Sequence, residues 1–162
     1  MEEITINGTK YNLVPQEEVV VVKEKVSYKR PRAEKGEYYY YIFPGWIDSA
    51  SDDRDGFNKG CHIAWNYYLT EQQAQKARDK QLATVRVNDA IDELNEGWVA
   101  DWSDSDEAKY NIDYNFRCKQ FGVNSSYIYS QSHTIKCIKS EEITDQIIKE
   151  HEEDLKLIFN IA

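Results

Sequence analysis

The sequence predicts an α+β fold: antiparallel β-hairpins or meanders with two helices, preceded by an N-terminal β-hairpin. Three observations carry this reading. Aromatic and β-branched runs alternate between turn residues, two long segments place apolar residues at helical spacing, and a cap signature stands directly ahead of each. The 162 residues suffice for one ordinary domain with an N-terminal appendage. Aromatics make up 13% of the chain, with 12 Tyr, 5 Phe and 4 Trp, and disordered chains are poor in them, so a folded core is expected despite 30% charged residues.

Residues 3 to 14 form two alternating runs joined by Asn7-Gly8, residue types that tolerate the positive φ of a tight hairpin turn. Val19 to Val22 is a β-branched run, and the polar stretch Lys29 to Gly36, broken by Pro31 and Gly36, reads as a linker. Tyr38 to Phe43 is a strand, Pro44-Gly45 turns the chain, and Trp46 and Ile47 return it. An acidic loop, Asp48 to Asp55, follows, and Cys61 to Leu69 reads as a further strand. Thr70 with Gln73 then forms a capping box for a helix over about 71–95, which carries Ala74, Ala77, Leu82, Val85, Ile91 and Leu94 and stops at Gly97. A single stripe does not fit every apolar position of this helix.

The last third repeats the plan. Tyr110, Ile112 and Tyr114 alternate with polar residues, and Tyr127 to Tyr129 and Thr134 to Ile138 are β-prone. Ser140 caps a second helix whose apolar face is Ile143, Ile147, Ile148, Leu155, Ile158 and Phe159, with His151 interrupting it. The domain reading is therefore 1–36 for the N-terminal hairpin, strand segment and linker, and 37–162 for the α+β domain, with a pseudo-repeat of 37–97 and 108–162.

Charge is distributed unevenly. Residues 1–36 carry seven basic and six acidic groups, residues 37–108 six and fifteen, and residues 109–162 seven and eight, which accounts for the net charge of −9. Within the middle segment the helix acids are partly balanced by Lys76, Arg78, Lys80 and Arg86. The unbalanced acid lies in two loops, one with Asp48, Asp52, Asp53 and Asp55, the other with Asp101, Asp104, Asp106 and Glu107 beside Trp98 and Trp102.

Other chemistries find little support. Asp53 to Gly56 mimics part of an EF-hand loop, but the twelfth position is His62 rather than a bidentate Glu. Cys61, His62, Cys118, His133 and Cys137 lack zinc-site spacing, and the three cysteines read as reduced core thiols. No nucleophile elbow, phosphate loop or dinucleotide fingerprint is present, so the expectation is a non-enzyme with no cofactor and no metal. The acidic middle segment repels phosphate, which argues against direct nucleic-acid binding. With no apolar run of about 18 residues and no leader, no membrane association is expected and the cytoplasm is the expected compartment.

The combination of Tyr38 to Ile42, Asp48, Trp65-Asn66-Tyr67-Tyr68-Leu69-Thr70-Glu71-Gln72-Gln73-Ala74, Gly97-Trp98, Asp101 to Asp104 and Lys109-Tyr110 resembles uncharacterised small proteins of phages and prophages of Firmicutes, over about residues 37–162. The sequence departs from that group at a glycine ahead of Asn66. The resemblance implies roles such as inhibiting a host defence enzyme, as anti-CRISPR and other anti-defence proteins do, within the host cytoplasm.

Together these readings give a non-enzymatic inhibitor of a host nucleic-acid-handling defence protein, for example a CRISPR effector. Asp48, Asp52, Asp53, Asp55, Asp101, Asp104, Asp106 and Glu107 would mimic nucleic acid toward a basic partner, with Trp98 and Trp102 as anchors. The alternative is a binder, or sponge, of a small molecule or nucleotide signal using a Tyr-rich pocket.

Overall fold

The computed structural model describes residues 3–6, 9–12, 30–126 and 135–161. The chain divides into two compact units, Met1–Pro31 and Arg32–Ala162. In the first, β1 (Glu3–Ile6) pairs antiparallel with β2 (Thr9–Asn12), Ile6 opposite Thr9. The Asn7-Gly8 turn and the Val19 to Val22 run lie outside the described residues.

The second unit is α+β. Among the described residues it holds two antiparallel hairpins, β3 (Tyr38–Phe43) with β4 (Trp46–Ser51) and β5 (Lys109–Asn115) with β6 (Gln120–Ser126), and four helices, α1 (Gly56–Ile63), α2 (Glu71–Asn95), α3 (Glu141–Glu150) and α4 (Glu152–Phe159). Pro44-Gly45 turns β3 into β4, with Gly45 at φ +100°, a conformation that glycine adopts without strain.

Helix α2 spans the expected residues. The Thr70 hydroxyl accepts from the Gln73 amide at 3.2 Å, while the Gln73 side chain reaches back to the amide of Leu69 at 3.1 Å, one residue beyond the Thr70 amide that a reciprocal capping box would use. It ends with Glu96 and Gly97 both left-handed. The predicted second helix is two helices. His151 breaks it at φ −119°, ψ 26°, which turns Leu155 and Ile158 into the core.

The strand expected over Cys61 to Leu69 is absent. Asp55 caps α1 instead, its carboxylate accepting from the Asn58 amide at 2.7 Å, so Cys61 to Ile63 are helical. The Asn66 amide then returns to the Cys61 carbonyl at 3.0 Å in a Schellman closure, with Trp65 at φ +61°. Only Tyr68 pairs beyond that point, in a single bridge with Tyr40. Likewise Ile135 to Ile138 contribute one bridge, Ile138 to Tyr110, rather than a strand, and Tyr127 to Thr134 lie outside the described residues.

The two bridges reveal the internal plan. Tyr40 and Tyr110, Tyr68 and Ile138, and the caps Thr70 and Ser140 stand seventy positions apart in each case. Buried positions follow the same offset: Tyr39 and Lys109, Tyr67 and Cys137, Ala74 and Thr144. Each half is thus a hairpin, a bridging residue and a helix capped two residues later.

One core joins the halves. Ala83, Val87 and Ile91 of α2 pack with Ile112, Ile138, Ile147, Leu155 and Ile158. The stripe facing it excludes Leu82 and Val85, which are exposed. A smaller cluster of Ala33, Tyr39, Cys61 and Tyr67 lies under β3 and β4, where the Tyr39 and Tyr67 rings stack with centroids 4.1 Å apart.

Candidate functional site

The acidic loop nearest the hairpin is largely structural. Asp48 lies in β4, opposite Tyr41, and accepts from the Tyr41 hydroxyl at 3.0 Å. Asp52 is fully buried: Arg32 donates to both of its oxygens, at 2.6 and 2.9 Å, and the Tyr67 hydroxyl donates at 2.7 Å. Burial pushes its carboxyl up, but the Arg32 and Tyr67 hydrogen bonds and the Arg54 amide outweigh this and hold it at about 2. Asp52 is therefore not a partner-facing residue, a correction to the sequence reading. The reason is that Arg32, expected in a solvated linker, supplies an internal counter-charge. Asp55 is spent as the α1 cap, and Asp53 stays exposed, accepting from the Ser51 hydroxyl at 3.3 Å.

The second loop is assembled around a buried ammonium. The Lys109 side chain donates to the carbonyls of Asp104 and Glu107, both at 2.9 Å, and lies 3.3 Å from the Glu107 carboxylate and 5.7 Å from the Trp102 ring centroid. The Glu107 carboxylate in turn accepts from Trp98 Nε1 at 3.1 Å and from the Asp101 amide at 2.8 Å. Asp101 accepts from the hydroxyl and amide of Ser103, which holds its carboxyl below the ordinary range. Asp104 accepts from the Asp106 amide at 2.8 Å. The structure thus gathers Trp98, Asp101, Trp102, Asp104 and Glu107 into one folded loop, from which the Asp101, Asp104 and Asp106 side chains face solvent.

No hydrogen bond or ion pair among the described residues joins this loop to the Asp48 to Asp55 cluster. Instead the acid continues backward along α2. Between residues 89 and 108 lie Asp89, Asp92, Glu93, Glu96, Asp101, Asp104, Asp106 and Glu107, with no basic residue. All but Glu107 of these are exposed. Val99, midway along this stretch of sequence, is 81% exposed.

Lys109, Asn95 and Arg32 escaped the sequence reading. Asn95 clamps the bridging segment of the second half, donating to the Cys137 carbonyl at 3.0 Å and accepting from the Lys139 amide at 3.0 Å. For Lys109 a signal existed: it enters an alternating strand at the position that Tyr39 fills in the first half. Of the cysteines, Cys61 and Cys137 are buried but Cys118 is exposed, because it lies in the turn between β5 and β6 rather than in a strand.

A cleft of about 280 Å³ opens between Asn95, Trp98, Val99, Trp102, Lys136 and Cys137, with the Asp92–Lys136 ion pair at its edge. Among the described residues no group of three or more His, Cys, Asp or Glu side chains could hold a metal ion, and no helix is long and apolar enough to cross a membrane. Comparison with protein-family models, with curated proteins and with solved structures found no match to this chain.

Proposed function

We propose that this chain is a non-enzymatic, phage-encoded inhibitor that acts in the host cytoplasm by binding a basic, nucleic-acid-handling defence protein through its acidic end. The observation that carries the reading is the stretch of eight carboxylates without a base over residues 89–108. Its loop is held in one shape by Lys109, so ordering it on binding costs little entropy. Six of these carboxylates, Asp89, Glu93, Glu96, Asp101, Asp104 and Asp106, are exposed and outside the Asp92–Lys136 and Glu107–Lys109 ion pairs, and present to a cationic cleft charge of the same sign as a phosphate backbone. The phage assignment rests on the resemblance of residues 37–162.

The test is retention of host proteins on immobilised chain. Nucleic-acid-binding proteins should be held at low salt, released by excess DNA, and lost at about 1 M salt, where the Debye length falls to about 3 Å. The combined variant Glu93→Lys, Glu96→Lys, Asp104→Lys and Asp106→Lys should lose them. Retention indifferent to that charge reversal would remove the reading.

The second reading, a binder of a small molecule or nucleotide signal, is favoured by the Trp98–Trp102 cleft. It is not favoured by the tyrosines, since Tyr39 and Tyr67 stack on each other and are buried. Thermal shift against a nucleotide panel tests it, because a ligand of the native state raises the melting temperature by mass action.

A further inference from the structure

We propose that β6 is a dimerisation edge, along which two copies of this chain pair antiparallel and join their β5–β6 hairpins into one sheet. The bridge at Tyr110 fixes which backbone groups of β6 are available. Tyr110 donates to the Ile138 carbonyl at 3.1 Å and accepts from the Ile138 amide at 2.9 Å, so its polar groups face away from β6. Its partner across the hairpin, Ser125, therefore turns its own N–H and C=O outward, and the two-residue alternation of an antiparallel ladder extends this to Val123 and Phe121. Among the described residues no strand flanks β6 on that side, and no turn, loop or cap hydrogen bond serves these outward groups.

The matching hairpin of the first half closes the same edge. Tyr40 bridges Tyr68 as Tyr110 bridges Ile138, which turns Ser49 and Ser51 of β4 outward. There the Asp48 carboxylate accepts from the Ser49 amide at 2.8 Å, and the Ser51 carbonyl accepts from the Asp53 amide at 3.1 Å. A charge on the strand and a chain folded back over its end keep other strands away. β6 has neither. Gln120–Ser126 contains no charged residue and no proline, and its register with β5 runs one to one without a bulge.

The occupant is a second copy. Each chain carries a net charge of −9, so two copies repel one another, and β6 is a neutral strip on which they can meet. The edge is also self-complementary. A two-fold axis at Val123 sets Val123 against Val123 and Phe121 against Ser125 of the second copy, which uses every one of these outward positions, each pair exchanging two hydrogen bonds. Val123 stands opposite Ile112 and Phe121 opposite Tyr114, on the face of the hairpin that holds the buried Ile112, and the β-branched pair at the axis widens that face. Such a contact is isologous and closes at two copies. It uses no residue of the acidic end and does not depend on the partner proposed there.

The experiment is light scattering on size-separated full-length protein, with amide exchange read residue by residue. As concentration rises the mass should climb from 19.0 kDa to twice that value and stop. The dimer should be at least as favourable in about 1 M salt, where repulsion between the copies is screened. In it the amides of Phe121, Val123 and Ser125 should exchange more slowly, while those of Gly122 and Asn124, which the ladder with β5 already uses, should not change. Val123→Pro and Ser125→Pro each delete an outward amide that β5 does not use, and the residue before each is already extended, as proline requires. Both variants should stay at the mass of one chain, with circular dichroism checking that the fold is kept; the exchange rates of the wild type decide the case even where a variant fails to fold. A wild type that stays at one chain mass at every concentration, a mass that grows past two, a dimer whose three outward amides exchange as in the monomer, or one that both proline variants retain would overturn the proposal.

Discussion

Arg32 grips Asp52 through two parallel hydrogen bonds, Nε to Oδ2 at 2.6 Å and Nη2 to Oδ1 at 2.9 Å, and so fastens the start of the second unit beneath its first hairpin. Ala33 completes the attachment, its amide donating to Tyr67 Oη at 3.0 Å and its carbonyl accepting from Arg54 at 2.9 Å.

This pair makes stability depend on acid. Asp52 is held at about 2 in the folded protein against roughly 4 in an unfolded chain, so its contribution is present above about pH 4 and is lost as pH falls toward 2. The loss should be about 2 kcal/mol, read from denaturant unfolding at successive pH values. Asp52→Asn should flatten that part of the profile. At neutral pH it should cost about 3 kcal/mol, because Arg32 is left without its counter-charge. A variant with the wild-type acid profile would contradict the assignment.

Lys109→Met should release the acidic loop without emptying the space beneath it. The carbonyls of Asp104 and Glu107 lose their shared donor, at a cost of about 2 kcal/mol. Amide exchange should accelerate over residues 101–107 and Trp emission should shift to the red, with circular dichroism unchanged. Exchange rates equal to those of the wild type would show that the loop is held by something else.

Glu96→Asn should stabilise the protein. Glu96 is left-handed at φ +51° and adds negative charge at the C-terminal end of α2, whereas Asn tolerates that conformation and is neutral. A gain of about 0.5–1 kcal/mol is expected as a rise of a few degrees in melting temperature.

The two caps provide a matched pair. Thr70→Ala and Ser140→Ala each remove the acceptor for one amide of the first turn, from Gln73 at 3.2 Å and from Ile143 at 3.4 Å. Each should cost about 1 kcal/mol in chemical denaturation. A loss near zero at one of them would mean that solvent serves that amide equally well.

Features that depend on neighbours in sequence were legible before the structure: the β3–β4 hairpin with its Pro44-Gly45 turn, the cap at Thr70, the span of α2 and the α+β class. What escaped depends on partners far along the chain. Cys61 to Leu69 has the composition of a strand, yet the cap at Asp55 and the closure at Trp65 commit its first part to helix. Asp52 looks like its exposed neighbours until Arg32, twenty positions earlier, is found against it. Lys109 reads as a surface charge because its acceptors are mostly backbone carbonyls, which no sequence pattern displays. In the candidate site, the acidic stretch and the nearby tryptophans were visible, but not the fold of their loop.

The seventy-residue correspondence carries a consequence for taking the protein apart. By chain order α2 ends the first half, but its Ala83, Val87 and Ile91 lie in the interior of the second, and Asn95 holds the bridging segment there. The connector after α2 wraps the ammonium of Lys109, the first residue of β5. Scission between Gly97 and Ala108 would leave one fragment with a bare apolar helix face and the other with an unfilled core and a stranded charge. The repeat describes how the chain is written, while the folding unit runs undivided from Arg32 to the end of α4.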